Sequence, residues 1–311
     1  MNERPDIELA AAAFRLDRPG IRSSFDRASA GYEAAAQLQR GVADELMDRL
    51  QTFKFEPRVV LDLGAGTGRA TRELKRRYPR ALVVALDMSP GMLREARRHQ
   101  RLFRHFQRVC GDAMRLPFAD ASVDVVFSSL MLQWCDPLDA AFLEIRRVLK
   151  PDGFFAFSTF GPDTLKELRT AWREADGYTD SAGHIHVNHF TDMHDVGEAL
   201  VRTGLTEPVL DVDRLQLTYP DTLALMHDLK SIGAHNVTAG RPRGLTGKAR
   251  LKRMQAAYEA FRREGRLPAS YEVIYGAAWG AAGRGTAPAI QGEVRIAAGA
   301  IKRRDRLEPG Q

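Results

Sequence analysis

The stretch Val59-Val60-Leu61-Asp62-Leu63-Gly64-Ala65-Gly66-Thr67-Gly68 decides the fold. A short β-branched, apolar run reads as a buried strand. It feeds into three glycines at alternate positions, and a polar helix follows from about Thr71. Glycine is required where a backbone turns sharply and a ligand must lie against it. A strand, a glycine turn and a helix N-terminus together form a nucleotide-type cradle at the end of a parallel strand. The dinucleotide fingerprint is G-x-G-x-x-G, with the third glycine packing helix on strand. Here the spacing is G-x-G-x-G and Arg69 follows. Alone, such a loop is also compatible with a plain tight turn.

The chain around it repeats one rhythm. Ala81 to Leu86 reads as a second buried strand that ends at Asp87, about 20 residues past the glycines, where a carboxylate suits a ribose diol. Cys110-Gly111-Asp112-Ala113 reads as a short third strand ending in another carboxylate, placed to accept from an adenine amino group. Either Asp, taken singly, is equally a cap or turn residue. Ser89, before Pro90, can cap the next helix by itself, so Asp87 is not needed there. A fourth strand runs from Val123 to Ser129, a helix from Leu138 to Leu149, and a fifth strand from Phe154 to Thr159. Strands alternating with helices imply an α/β, Rossmann-like, doubly wound and mostly parallel sheet.

In order and spacing, the glycine loop, Asp87, Gly111-Asp112-Ala113 and Arg147-Val148-Leu149-Lys150-Pro151-Asp152-Gly153 resemble the class I S-adenosylmethionine-dependent methyltransferases over residues 57–160. The resemblance implies S-adenosylmethionine as cofactor. Gly64, Gly66 and Gly68 would meet its methionine part, Asp87 its ribose and Asp112 its adenine. Asp62 would support the loop or the amino group. Met88, Ala113 and Ser129, at the neighbouring strand ends, complete the implied cofactor contacts.

Composition sets the frame. The 311 residues are 44% apolar and 28% charged, ordinary for a soluble globular protein, with a net charge of +6. No apolar run approaches the ~18 residues of a membrane span, and the N-terminus does not read as a signal peptide. Cys110 and Cys135 lack metal-ligand spacing and read as reduced and partly buried, as in a cytoplasmic protein. Residues 241–266 carry nine basic and two acidic side chains, a local excess of +7. The segment is either a solvated helix face or a docking site for an acidic partner. Nucleic acid fits less well, because Tyr258 and Phe261 sit at helical core spacing rather than as a stacking array.

Two regions exceed a minimal sheet: residues 1–50, read as N-terminal lid helices, and helical insertions at about 161–207 and 218–268 within a methyltransferase domain of 51–280. Tyr271 to Trp279 alternates like a strand able to close the sheet antiparallel, and residues 281–311 read as a flexible tail. Phe25-Asp26-Arg27-Ala28-Ser29-Ala30-Gly31-Tyr32, Leu130 to Cys135, Phe160 to Leu168, Leu229 to Asn236 and Tyr271 to Gly276 resemble the malonyl-[acyl-carrier protein] O-methyltransferases of early biotin synthesis. That family methylates the free carboxylate of a malonyl thioester. The implied partner is a malonyl-loaded acyl carrier protein, or malonyl-coenzyme A, with neither nucleic acid nor membrane involved. Phe160 to Leu165 and Tyr219-Pro220 also resemble a mitochondrial complex I assembly factor that acts as a protein arginine hydroxylase. Another small-molecule methyltransferase on the same fold, or a non-catalytic scaffold, are further alternatives.

A malonyl carboxylate is ionised at neutral pH, so methyl transfer to it needs no general base. It needs alignment, exclusion of water and a hold on the carboxylate. Tyr32 and Phe190 are the candidates for an aromatic lid, although either could be a core aromatic. Arg214, then Lys230, are the candidate cations, since an Arg fork matches a carboxylate. Gln133 and Trp134 follow the fourth strand, where a substrate pocket would open. His184, His186 and His189 lack a completing carboxylate or cysteine, so no metal is expected. No G-x-S-x-G elbow suggests a hydrolase.

Overall fold

The computed structural model describes residues 16–54, 56–100, 104–177, 186–234, 236–238 and 246–280. Residues 281–311, read from sequence as a tail, and Arg241, Arg243 and His184 lie outside them. Seven strands form one sheet in the order β3-β2-β1-β4-β5-β7-β6. They are β1 (Val59–Leu63), β2 (Leu82–Asp87), β3 (Gln107–Cys110), β4 (Val123–Ser129), β5 (Leu149–Phe160), β6 (Thr206–Tyr219) and β7 (Leu267–Trp279). The first five run parallel. The strand order reverses between β1 and β4, and that switch point is where a ligand crevice opens beyond the carboxyl ends.

The helices are α1 (Arg18–Ala28), α2 (Tyr32–Ala35), α3 (Gln37–Leu50), α4 (Arg69–Arg77), α5 (Pro90–Arg98), α6 (Leu138–Val148), α7 (Lys166–Ala175), α8 (Met193–Arg202), α9 (Thr222–Ser231) and α10 (Lys248–Glu259). Their starts are written in short polar caps. Ser89 accepts the N–H of Met92 at 3.1 Å, and Asp192 and Asp221 do the same for α8 and α9. One face of the sheet packs Val60, Phe127 and Phe154 against Leu46 of α3 and Leu74 of α4. The other packs Phe155 and Phe157 against Phe142 of α6 and Leu200 of α8. A third core lies under the insertions, where Leu168 and Trp172 of α7 meet Met254 and Tyr258 of α10 and Tyr271 of β7. Tyr258 is fully buried and donates to the Pro268 carbonyl at 2.8 Å, so it is a core residue and not a stacking platform.

Three expectations shift. The third strand ends at Cys110, which puts Gly111, Asp112 and Ala113 in the turn beyond it. β7 does not close the sheet. It lies inside, antiparallel to both β5 and β6, and β6 forms the edge. Cys110 is exposed rather than partly buried, while Cys135 is half-buried. Among the described residues, no helix is long and apolar enough to cross a membrane.

Candidate active site

The glycine loop turns at the end of β1 through positive φ at Gly64 (77°), Gly66 (53°) and Gly68 (75°). The three glycines serve different ends. A Cβ on Gly64 would stand 2.2 Å from Met131 Cγ, so the loop is pressed against the segment after β4. A Cβ on Gly68 would stand 2.9 Å from that of Ala96 in α5, so this glycine lets two helices approach and lies behind the loop. A Cβ on Gly66 would meet nothing within 4 Å. Gly66 is therefore where the loop is open to a ligand.

Carboxylates hold this loop from behind and from the side. Asp62 is 2% exposed and accepts a short bond from the Thr71 hydroxyl, tying β1 to α4. Burial pushes its carboxyl up to about 7, with the Thr71 hydroxyl opposing and the Asp87 charge adding. Asp87 accepts from Gly66 N–H and Ser89 N–H, both at 2.8 Å. Burial raises it to about 6, while those two N–H groups pull the other way. Asp112 accepts from Met114 N–H at 3.0 Å and forms an ion pair with Arg18 of α1.

The N-terminal helices are tethered across the cleft. Asp26 accepts from Ser89 Oγ at 2.7 Å and Gly91 N–H at 2.6 Å. Glu33 accepts from Thr67 Oγ1 at 2.8 Å and Arg72 at 2.9 Å. Between these two anchors Tyr32 is drawn over the cleft, where burial and the Asp87 charge raise its phenol above the usual value. Met88, Ala113 and Ser129 line the same cleft with Gly64, Gly66 and Asp87.

A second cavity, of about 1200 Å³, lies under α7 and α9. It is walled by Leu168, Trp172, Phe190 and Tyr271 and carries two cations, Arg27 and Lys230. Six residues line both spaces: Gln39, Gln133, Trp134, Phe160, Ile232 and Ala234. They form a throat between a cradle for a nucleoside and a mostly apolar chamber.

A family model described as "Methyltransferase domain" matches residues 61–157. A malonyl-[acyl-carrier protein] O-methyltransferase from Methylovorus sp. (strain MP688) is 52% identical over 277 residues, spanning 87% of this chain and 92% of that protein. One from Laribacter hongkongensis (strain HLHK9) is 51% identical over 88% of this chain and 92% of its own length. The chain belongs to the malonyl-[acyl-carrier protein] O-methyltransferases. The crystal structure of the YcgJ protein from Bacillus subtilis shares the fold, with a TM-score of 0.55 at 17% identity over 76% of this chain and 98% of that one.

S-adenosylmethionine fits the cleft of this family member. An adenosine with a methionine tail asks for a diol acceptor, an acceptor for the adenine amine, a bare backbone beside the sulfonium and a carboxylate for the ammonium. Asp87, Asp112, Gly64 and Gly66 line one groove, and Asp62 lines its adjoining recess with Gly64, Ala65 and Gly66, so groups of these kinds stand together there. Gly68 packs on α5 and lines neither the groove nor the recess.

The remaining candidates separate. Phe190 is 8% exposed and packs edge-on to Phe160 at 5.7 Å, lining the second cavity, so it is no lid over the cofactor cleft. Arg214 sits on the edge strand with its side chain 71% exposed, 3.7 Å from Glu272. It lines neither the cleft nor the chamber: along β6 it shares the face of Leu210 and Val212, whereas Leu217 and Tyr219, on the other face, join the core beside the chamber. Lys230 lines the chamber but not the throat.

Most of the described basic residues of the segment 241–266 are engaged within the protein. Arg250 donates to Asp176 at 2.6 Å, Arg253 to the Ala175 carbonyl at 3.2 Å and Arg262 to Glu259 at 2.6 Å. Lys248 and Lys252 remain exposed. Among the described residues no cluster of three His, Cys, Asp or Glu is placed to hold a metal. Sequence reasoning missed Arg18, Gln39 and the anchoring roles of Asp26 and Glu33. Asp26 at least stood inside a motif already marked, whereas Gln39 carries no local signal.

Proposed function

We propose that this chain transfers a methyl group from S-adenosylmethionine to the free carboxylate of a malonyl thioester on acyl carrier protein, giving the methyl ester of early biotin synthesis. The observation that carries the reading is the throat between a nucleoside cradle and an apolar chamber, in a chain of this family. The cofactor, when bound, supplies a methyl group activated on a sulfonium.

The protein's own residues do the rest. Asp87 and the open face of Gly66 hold the nucleoside side of the cleft. Tyr32 and Trp134 cover the reaction zone and keep water from it, which strengthens every charge interaction inside. The throat fixes the line along which the acceptor oxygen approaches, and alignment of this kind supplies several kcal/mol in displacement reactions, of order 7 to 11 in favourable cases. The carboxylate arrives ionised, so no side chain needs to take a proton.

The substrate's far end leads outward through the chamber. Arg27 and Lys230 are both exposed at its wall, a position that suits the phosphate of a carrier's arm or the acidic carrier surface better than the reacting carboxylate. With Arg250 engaged by Asp176, this pair supports the docking reading more directly than the helix at 248–259 does.

The test is incubation with the cofactor and malonyl-acyl carrier protein, read by mass spectrometry. One added methyl group, located on the malonyl carboxylate, is expected. Cofactor binding by calorimetry with no ester formed would overturn the substrate and leave the cleft assignment standing.

A further inference from the structure

Gln39, near the start of α3, lines the cofactor cleft, the chamber and the small recess beside Asp62 and Gly64. It is half-buried, and its amide makes no hydrogen bond with any described residue. Gln133 lines the same throat. Its amide is already oriented, with Nε2 donating to the Leu130 carbonyl at 2.8 Å and Oε1 accepting from Thr159 Oγ1 at 3.3 Å. Each amide nitrogen carries two hydrogens, so Gln133 keeps one donor and Gln39 keeps both.

Resting on the methyl-transfer reading above, we infer that Gln39 binds the acceptor carboxylate in the throat and, with Gln133, sets its orientation. The reaction explains why neutral amides suit this place. An O–C bond forms at the carboxylate as the C–S bond of the sulfonium breaks. The products are a neutral ester and the thioether S-adenosylhomocysteine, and no proton moves. Charge therefore disappears on the way to product, and a cation locked onto the carboxylate would stabilise the reactant more than the transition state. A carboxylate with no donor at all would resist leaving water. Amide N–H groups satisfy it at a smaller cost to its nucleophilicity. No Lys or Arg is among the six described residues of the throat, while Arg27 and Lys230 stand beyond it on the chamber wall.

The experiment compares wild type with Gln39→Ala and Gln39→Glu. Methyl ester formation on malonyl-acyl carrier protein gives kcat and KM, and calorimetry gives the affinity for S-adenosylhomocysteine. A hydrogen bond to a charged group sets the scale of the loss. Gln39→Ala is expected to lower kcat/KM about 10- to 100-fold, with cofactor affinity within about twofold. Gln39→Glu is isosteric, so it reads the site even if the alanine variant folds poorly. Read as the ratio to wild type at the same pH and saturating cofactor, it is expected to lose more at pH 8, through repulsion, and to recover part of that loss as pH falls toward 5 and the new carboxyl regains a donating proton. Unchanged kcat/KM in both variants would overturn the inference alone, and so would a parallel loss of cofactor affinity, which would assign Gln39 to the methionine end. Wild type that binds cofactor yet forms no ester would overturn the substrate reading, and this inference with it.

Discussion

The Asp87 carboxylate, at the end of β2, accepts the backbone N–H of Gly66 at 2.8 Å. The residue proposed to hold the ribose is thus the same one that braces the open point of the glycine loop. Replacing Asp87 by Ala removes both functions, and cofactor affinity measured by calorimetry should fall by about 10-fold to 100-fold, on the scale of a charge-assisted hydrogen bond. The carboxyl lies at about 6, raised by burial. Wild-type affinity should therefore decline as pH drops below 6, and Asp87→Asn should flatten that decline. Full affinity in the Ala variant would remove Asp87 from the site.

Asp62 gives a stability signature with the opposite sense to an ordinary paired carboxylate. Its carboxyl lies at about 7 in the folded chain, against an ordinary value of 3.8, mainly through burial. Between these two values the native state holds a proton that the unfolded chain has released. Its contribution to stability must fall as pH rises from about 4 to 7, and level off above. Asp62→Asn keeps an acceptor for the Thr71 hydroxyl but has nothing to ionise. The stability of the Asp62→Asn variant relative to wild type should rise across that window by on the order of 3 kcal/mol. Urea unfolding of both proteins at a series of pH values measures it, and a constant difference would contradict the assignment.

Much of this site was legible before the structure, and the exceptions have physical reasons. The glycine loop and the carboxylates after β2 and β3 are local features, because backbone turns demand particular residues at particular offsets. The bounds of β3 were misread because Gln107 to Cys110 is a short edge strand, exposed or half-buried throughout, with no apolar run to mark it. The setting of Arg214 could not be read from sequence because alternation tells which residues share a face of β6, not which face meets the chamber. Gln39 was invisible because its role arises where α3, the segment after β4 and the loop after α9 converge. Only tertiary structure brings those three together.

Gly66 and Gly68 should respond differently to the same substitution. Both have positive φ, so alanine at either costs roughly 1–2 kcal/mol in backbone strain. At Gly68 the new methyl also meets Ala96 at 2.9 Å, and α4 or α5 must shift. Gly68→Ala should therefore be the more destabilised in urea unfolding, by about 1–3 kcal/mol beyond Gly66→Ala. At Gly66 the methyl stands in open space on the cleft side. Gly66→Ala should fold with little more than the strain penalty and yet lose more cofactor affinity. The reverse order in either measurement would exchange the two roles.

Charge reversal along α10 separates a core contact from a docking contact. Arg250 donates to Asp176, which is only 5% exposed, at 2.6 Å, and His186 lies 3.1 Å from the same carboxylate while stacking on Trp172 at 3.9 Å. Burial alone would raise Asp176, yet Arg250 and His186 bring it below the usual carboxylate value. Arg250→Glu would set a second carboxylate against this one beside the chamber wall. Its unfolding free energy should drop by about 1–3 kcal/mol, on the scale of a lost charge-assisted hydrogen bond in a partly buried pair, and turnover of carrier-bound and coenzyme A-bound malonate should fall together. Lys252→Glu, on the exposed face, should change stability by less than about 0.5 kcal/mol. If an acidic carrier rests on the chamber rim, Lys230→Glu should raise KM for the carrier-bound substrate more than for the coenzyme A-bound one, while Lys252→Glu changes neither. A carrier-specific loss at Lys252 with none at Lys230 would move the docking face from α9 to α10.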